Sequence, residues 1–486
     1  MITNSHPSHD DRTTPPLWLA LVAAASAGGM GWGIRGQYGH ETGAMLAGVL
    51  VGLVLVHLFC PLATSLTAAR AVALCALGIS LGGSMTYGQT VGLTHDAELI
   101  GNWEALRWGL LGLSLKGGIW IAFAGVMLGM GLGDRQYRPL ELAVLLVVML
   151  ACLFLGVYLL NMPFDPAARE LPKIYFSDDW YWEPGADLEP RRERWGGLLM
   201  ALVALVAYVG GVRKDRLALR LAAWGFLGGA IGFPGGQCLQ AYHAWNVESF
   251  RQGWFATLEP HMNWWNVMEI TFGAVFGAVL ALGLWLNRRL VAAEEKVATS
   301  VFNEPVEWLL VAVHLVALVT WNFAEVPLLD LVADHALTMI AIPLVAVMGG
   351  RLWPYLVTLP IVALPVAGKT VRQLCYEETA VSPIAGYAFY LVLPLVVATA
   401  TALLLARQPD SRPSSRTFSR WALLVTTWLY FGLNFAFFHY PWPWQAWTGR
   451  TPSGIVFAVC SVILTSIALY TGPEPAAKSQ PPELAV

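Results

Sequence analysis

Apolar runs of about 18–25 residues, long enough to cross roughly 30 Å of hydrocarbon, recur along nearly the whole chain. Inside a bilayer no water is present to satisfy backbone N–H and C=O groups, so only helices and closed barrels can span it. The runs are too long for barrel strands, and the expected fold is an all-α, polytopic integral membrane protein. Only 13% of the 486 residues are charged and 56% are hydrophobic. Soluble domains carry roughly 25% charged residues, which excludes a soluble enzyme with a single anchor. The net charge of -3 offers nothing to nucleic acid.

The hydropathy pattern predicts about fourteen transmembrane helices. Thirteen remain if 335–350 and 352–368, which contain Pro343, Pro354, Pro360 and Pro365, form one broken element. The expected organisation is a first membrane half at 17–212 with an outer loop at 162–194, and a second half at 213–471. The Pro-rich polar ends 1–16 and 472–486 are expected to be disordered. The run after Arg12 ends in Ala25-Ser26-Ala27 and has the outline of a signal peptide. Its continuation matches an internal segment, which favours a retained first span. Arg135, Arg138, Arg213, Lys214, Arg288 and Arg289 fall in loops on the side of both termini. The expected location is therefore a cell (inner) membrane with both termini cytoplasmic.

Within this frame a ten-residue pattern recurs. Gly28-Gly29 opens a segment that ends Gly36-Gln37, and Gly228-Gly229 opens one that ends Gly236-Gln237. A shorter echo runs from Gly82-Gly83 to Gly88-Gln89. The first two are followed by an acidic residue, Glu41 or Glu269, and by small residues spaced four apart. Gly/Pro-interrupted segments at matching places in two halves point to a transporter binding site. The pattern therefore predicts Gly-interrupted first and seventh helices in a parallel internal repeat. Gln37, Gln89 and Gln237 would supply amides there.

Charge inside the spans narrows the site. Lys116 lies roughly two turns into the fourth span and needs a partner. Glu269 and Glu41 are expected at a similar depth, giving a Lys116–Glu269 or Lys116–Glu41 pair. Arg35 adds positive charge, and His40 and His243 stand in the outer loops. The expected substrate-binding set is Arg35, Gln37, His40, Glu41, Gln89, Lys116, Gln237, His243 and Glu269. No metal set is expected, and the cofactor and catalytic residues are unknown. His314, mid-span, reads as a packing residue.

Two functions fit. The first is a multi-pass transporter of a small polar or anionic solute, ion-coupled, whose partners are the bilayer and that solute or ion. The alternative is a membrane-embedded transferase or hydrolase acting at the outer face on lipid-linked or saccharide substrates. Its candidates are His40/Glu41, His95/Asp96 with Glu98 and Glu104, and His243/Glu248. The six Cys show no metal spacing, and Cys238 and Cys375 are the one pair placed for a disulfide on the outer side.

Overall fold

The computed structural model describes residues 15–183, 185, 188–292, 300–323, 326–327, 335, 337–408 and 414–470. The terminal stretches expected to be disordered lie almost wholly outside these residues. Among the described residues the regular structure is helical and no strand forms. Ten helices are long and apolar enough to cross a membrane. The protein is accordingly a helical membrane protein.

Six helices close a ring. In spatial order they are α1 (Leu17–Arg35), α2 (Glu41–Phe59), α3 (Ser65–Leu81), α5 (Trp103–Leu132), α9 (Arg216–Trp245) and α11 (Trp264–Leu286), and α11 returns to α1. Between them lie α4 (Gly88–His95), α6 (Pro139–Leu160), α7 (Asp178–Tyr181), α8 (Trp195–Val212) and α10 (Val247–Phe250). After α11 follow α12 (Glu304–Phe323), α13 (Ala341–Gly349), α14 (Trp353–Glu377), α15 (Pro383–Ala406), α16 (Ser415–Phe437) and α17 (Thr451–Leu469). The pair α16 and α17 packs on α1 and α2, while α6 and α8 pack on each other beside α5.

Local chemistry sets the ends of these helices. Thr64, Asn102, Asp215 and Asn263 each accept a hydrogen bond from the first turn of α3, α5, α9 and α11. Such caps satisfy backbone donors that an apolar environment would leave unpaired. Pro139 opens α6, where its missing N–H costs nothing.

Glycine builds the ring rather than breaking it. The helix α9 is continuous through Gly228–Gln237 and carries Pro234 inside it, so the expected interruption of the seventh helix does not occur. The helix α1 likewise includes Gly28, Gly29, Gly31 and Gly33 and ends only at Arg35. A Cβ on Gly28 would meet the backbone of Gly273 on α11, and one on Gly229 would meet Gly117 on α5. The small residues are therefore spent on close helix crossing. The real break lies in the third copy, where α3 ends at Leu81, residues 85–87 run without helix and α4 begins at Gly88.

This packing makes a paired prediction. In Gly229→Ala the new methyl meets the Gly117 carbonyl, and the melting midpoint in detergent falls by an amount worth about 1–3 kcal/mol. In Gly235→Ala, on the same helix with open space at the Cβ, the midpoint stays or rises by up to about 1 kcal/mol. Equal midpoints for the two variants would contradict the packing role.

Candidate functional site

The ring is closed at mid-depth by aromatic side chains. Trp32 of α1 meets Trp120 of α5 edge-on at 5.0 Å and Phe272 of α11 at 4.6 Å. Phe233 of α9 stacks on Phe272 at 4.6 Å. Trp120 donates its indole N–H to the carbonyl of Ile79 at 2.6 Å, which fixes one edge of this floor. The indole N–H of Trp32 is buried without a protein acceptor.

Arg35 rests on the floor at the C-terminal end of α1. Its guanidinium lies 4.5 Å from the Trp32 ring centre, 5.2 Å from Tyr87 and 5.5 Å from Trp120. Aromatic faces attract a cation held over them. The same group donates to the Tyr87 hydroxyl and to Glu269 Oε1 at 3.2 Å, and it sits 3.3 Å from His40 Nδ1. Arg35 is 1% exposed and Glu269 2%. Removing one partner from a buried pair strands the other charge.

Asn266 and Gly36 also crowd Glu269. Asn266 Nδ2 donates to its Oε2 at 3.3 Å and to the Gly33 carbonyl at 2.7 Å. A Cβ on Gly36 would lie 2.8 Å from Oε2, so a larger residue there would press on the carboxylate. Beside it the chain reaches the surface. Gly36 and His40 are exposed, and the exposed Lys369 donates to the Gln37 carbonyl at 3.3 Å. Arg35 Nε and Asn266 Oδ1 are buried without protein partners.

The remaining expected residues divide. Lys116 does not reach Glu269 or Glu41, because α5 and α4 turn it toward the outer loop. Its ammonium donates to the Thr86 carbonyl at 2.8 Å, Thr90 Oγ1 at 2.7 Å and Glu193 Oε1 at 2.6 Å, which uses all three N–H groups. Glu193 Oε2 accepts from Phe176 N at 3.0 Å and Trp195 Nε1 at 3.2 Å. Glu41 instead accepts from Thr338 Oγ1 at 3.1 Å and from Met339 N at 3.3 Å. Gln89 ties the loop down through Asp179 and Ser177, and Gln237 donates to Thr94 Oγ1 at 2.7 Å. Gln37 lies in a turn while Gln237 lies inside a helix, so the two are not equivalent.

At the C-terminal end of α9 His243 pairs with Glu259 at 3.1 Å and stacks on Trp264 at 4.3 Å. Its expected partner Glu248 is bound to Arg251 at 3.0 Å. His95 lies 3.4 Å from Asp96. No group of three metal-ligating side chains forms among the described residues. The six cysteines are free, so Cys238 and Cys375 do not bridge. His314 is buried beside Trp353 at 5.8 Å.

The site residues that sequence reasoning missed are Tyr87, Trp32, Trp120, Asn266 and Glu193. Tyr87 carried a signal, since it lies within the Gly82–Gln89 segment. Glu193 carried none, because Glu189-Pro190-Arg191-Arg192-Glu193-Arg194 reads as a solvated charge run.

Two outcomes follow from this geometry. Lys116→Met leaves Glu193 buried and unpaired and should cost about 3–5 kcal/mol of stability, whereas adding Glu193→Gln should restore part of it. A double-mutant cycle on melting midpoints checks this, and additive losses would contradict the pair. The second concerns Asp178, which is 4% exposed. Burial and the adjacent Asp96 carboxyl push Asp178 up to about 8 from its ordinary 3.8. The folded loop therefore holds a proton that the detached loop releases, and stability falls as pH rises between those values. Protease cleavage within 162–194 should be slow at pH 5 and fast at pH 9, and Asp178→Asn should flatten the profile.

Comparison with family models, with curated proteins and with solved structures finds no match to this chain.

Proposed function

We propose that this protein is a multi-pass transporter of a small anionic or polar solute, with its site in the outer half of the membrane around Arg35. The observation that carries this reading is the buried Arg35–Glu269 pair, seated on an aromatic floor and next to the exposed Gly36 and His40. A charge pair inside a membrane is expensive and is a functional-site hypothesis by default. An anionic group arriving past His40 and Lys369 competes with the Glu269 carboxylate for the guanidinium. Arg35 Nε and Asn266 Oδ1 offer one further donor and one further acceptor.

Coupling follows from the same competition. A proton taken up by Glu269 removes the counter-charge of Arg35 and frees the guanidinium for the solute anion. Return of the proton to water restores the pair and expels the anion. Proton and anion thus bind together, and the linkage is reciprocal. Alternating access would require the Trp32–Trp120–Phe272 floor to part, and the break at residues 82–87 beside Tyr87 supplies a hinge next to it. The proposed topology keeps fourteen spans, with α12, α13 and α16 joining the longer helices and α3. Both termini are cytoplasmic, at the end that carries Arg70, Arg213, Arg288 and Arg351. The Gly-Gln segments serve as a parallel pair of packing elements rather than as two broken helices.

The outer-face enzyme reading keeps two supporting observations, the His95–Asp96 and His243–Glu259 dyads. It predicts product formation from a lipid-linked saccharide that His243→Ala abolishes.

The test is uptake into proteoliposomes, after a melting screen with acetate, succinate, glutamate and glucose has picked the probe that stabilises the protein. Arg35→Gln should lower uptake at least tenfold. Glu269→Gln should keep binding but lose the response to an imposed pH gradient. Unchanged gradient-driven uptake in both variants would sink the proposal.

A further inference from the structure

A cavity opens at the arginine-rich end of the bundle, away from Arg35, between α3, α13 and the link from α5 to α6. Its volume is about 820 Å³. Four guanidinium groups line it: Arg70 of α3, Arg135 and Arg138 of the link, and Arg213 just after α8. No carboxylate is among the described residues that line it.

The charges are held in place from behind. Arg70 is 9% exposed and donates to the carbonyls of Val347 at 3.2 Å and Gly350 at 3.0 Å, which orient the group. Arg213 pairs with Glu141 at 3.2 Å and lies 5.3 Å from the Tyr137 ring centre. Tyr137 is itself fixed by donating to Asp215 at 2.9 Å. Arg135 lies 3.5 Å from Asp134, and Arg138 keeps an exposed side chain. Planar guanidinium forks match phosphate oxygens better than any other side chain does.

The rest of the wall is apolar, from Leu74, Met130 and Val345. Leu140 also lines the cavity while being 76% exposed, so the cavity reaches the outside of the bundle there. From Leu140 an exposed strip continues along α6 through Val144, Val147, Leu155 and Tyr158. Residues at this spacing share one helix face. A charged chamber that opens onto an apolar strip fits an amphiphile better than a free ion. We propose that this cavity binds the phosphate headgroup of an anionic lipid, with its acyl chain laid along α6. Basic pockets between membrane helices on the cytoplasmic side are suited to such headgroups. The proposal is independent of what the Arg35 site carries.

The experiment uses the delipidated full-length protein in detergent and reads the melting midpoint against added dihexanoyl phosphatidylglycerol, dihexanoyl phosphatidylcholine or inorganic phosphate. Phosphatidylglycerol should stabilise the protein and phosphatidylcholine should not. Arg138→Gln should raise the half-saturating concentration about tenfold, the worth of one hydrogen bond to a charged group. Leu140→Ser should weaken the phosphatidylglycerol effect and spare any effect of phosphate. If inorganic phosphate saturates as readily and Leu140→Ser changes nothing, the site takes free phosphate and the lipid assignment falls. Equal stabilisation by both lipids, or an unchanged response in Arg138→Gln, would overturn the phosphate site altogether. Native mass spectrometry of retained phosphatidylglycerol gives a second readout, with loss in Arg138→Gln expected and equal retention contradicting the proposal.

Discussion

Close backbone contact at glycine sets the geometry on which everything else rests. In lipid there is no hydrophobic drive for one helix to prefer another over an acyl chain. Close packing and hydrogen bonds supply the preference instead. The crossings of α1 with α11 and of α5 with α9 bring backbone against backbone at Gly28/Gly273 and Gly117/Gly229. Only helices this close can aim Trp32, Trp120, Phe233 and Phe272 into one shared floor. The floor in turn supports Arg35 from below.

Two buried ion pairs show how the same cost is met for different ends. Lys116 and Glu193 satisfy each other and every remaining donor and acceptor has a partner, so the pair acts as a clasp between α5 and the outer loop. Arg35 and Glu269 are as deeply buried, yet Arg35 Nε and the neighbouring Asn266 Oδ1 are left without protein partners. A saturated pair resists exchange, whereas an incompletely saturated one has capacity for a ligand. That contrast is why the proposed function is assigned to Arg35 and not to Lys116.

The outer loop joins these themes. Glu193, Gln89, Asp178 and Asp96 fasten it to α4 and α5, next to the break that places Tyr87 over Arg35. The loop and the site thus share one short segment, residues 82–95. At the other end of the bundle, arginines held by carbonyls, Glu141 and Tyr137 enclose a separate chamber, so the two charged regions lie on opposite sides of the aromatic floor.

The sequence by itself determined the class of structure. Runs such as Pro139–Leu160 and Thr451–Leu469 are too apolar for water and long enough for a bilayer, and backbone satisfaction then leaves only helices. It also placed Arg35, Glu269 and Lys116 as charges in need of partners, because burial cost is a property of the residue and its span. It could not decide which charges meet. Arg35 and Glu269 stand 234 positions apart, and Lys116 stands 77 from Glu193, which lies in a loop that reads as solvent-facing. It also misjudged the glycines of α9, since the same residues loosen an isolated helix and tighten a pair of helices. Tertiary structure decided both points, because ion pairing and close packing depend on distances between helices that no single helix contains.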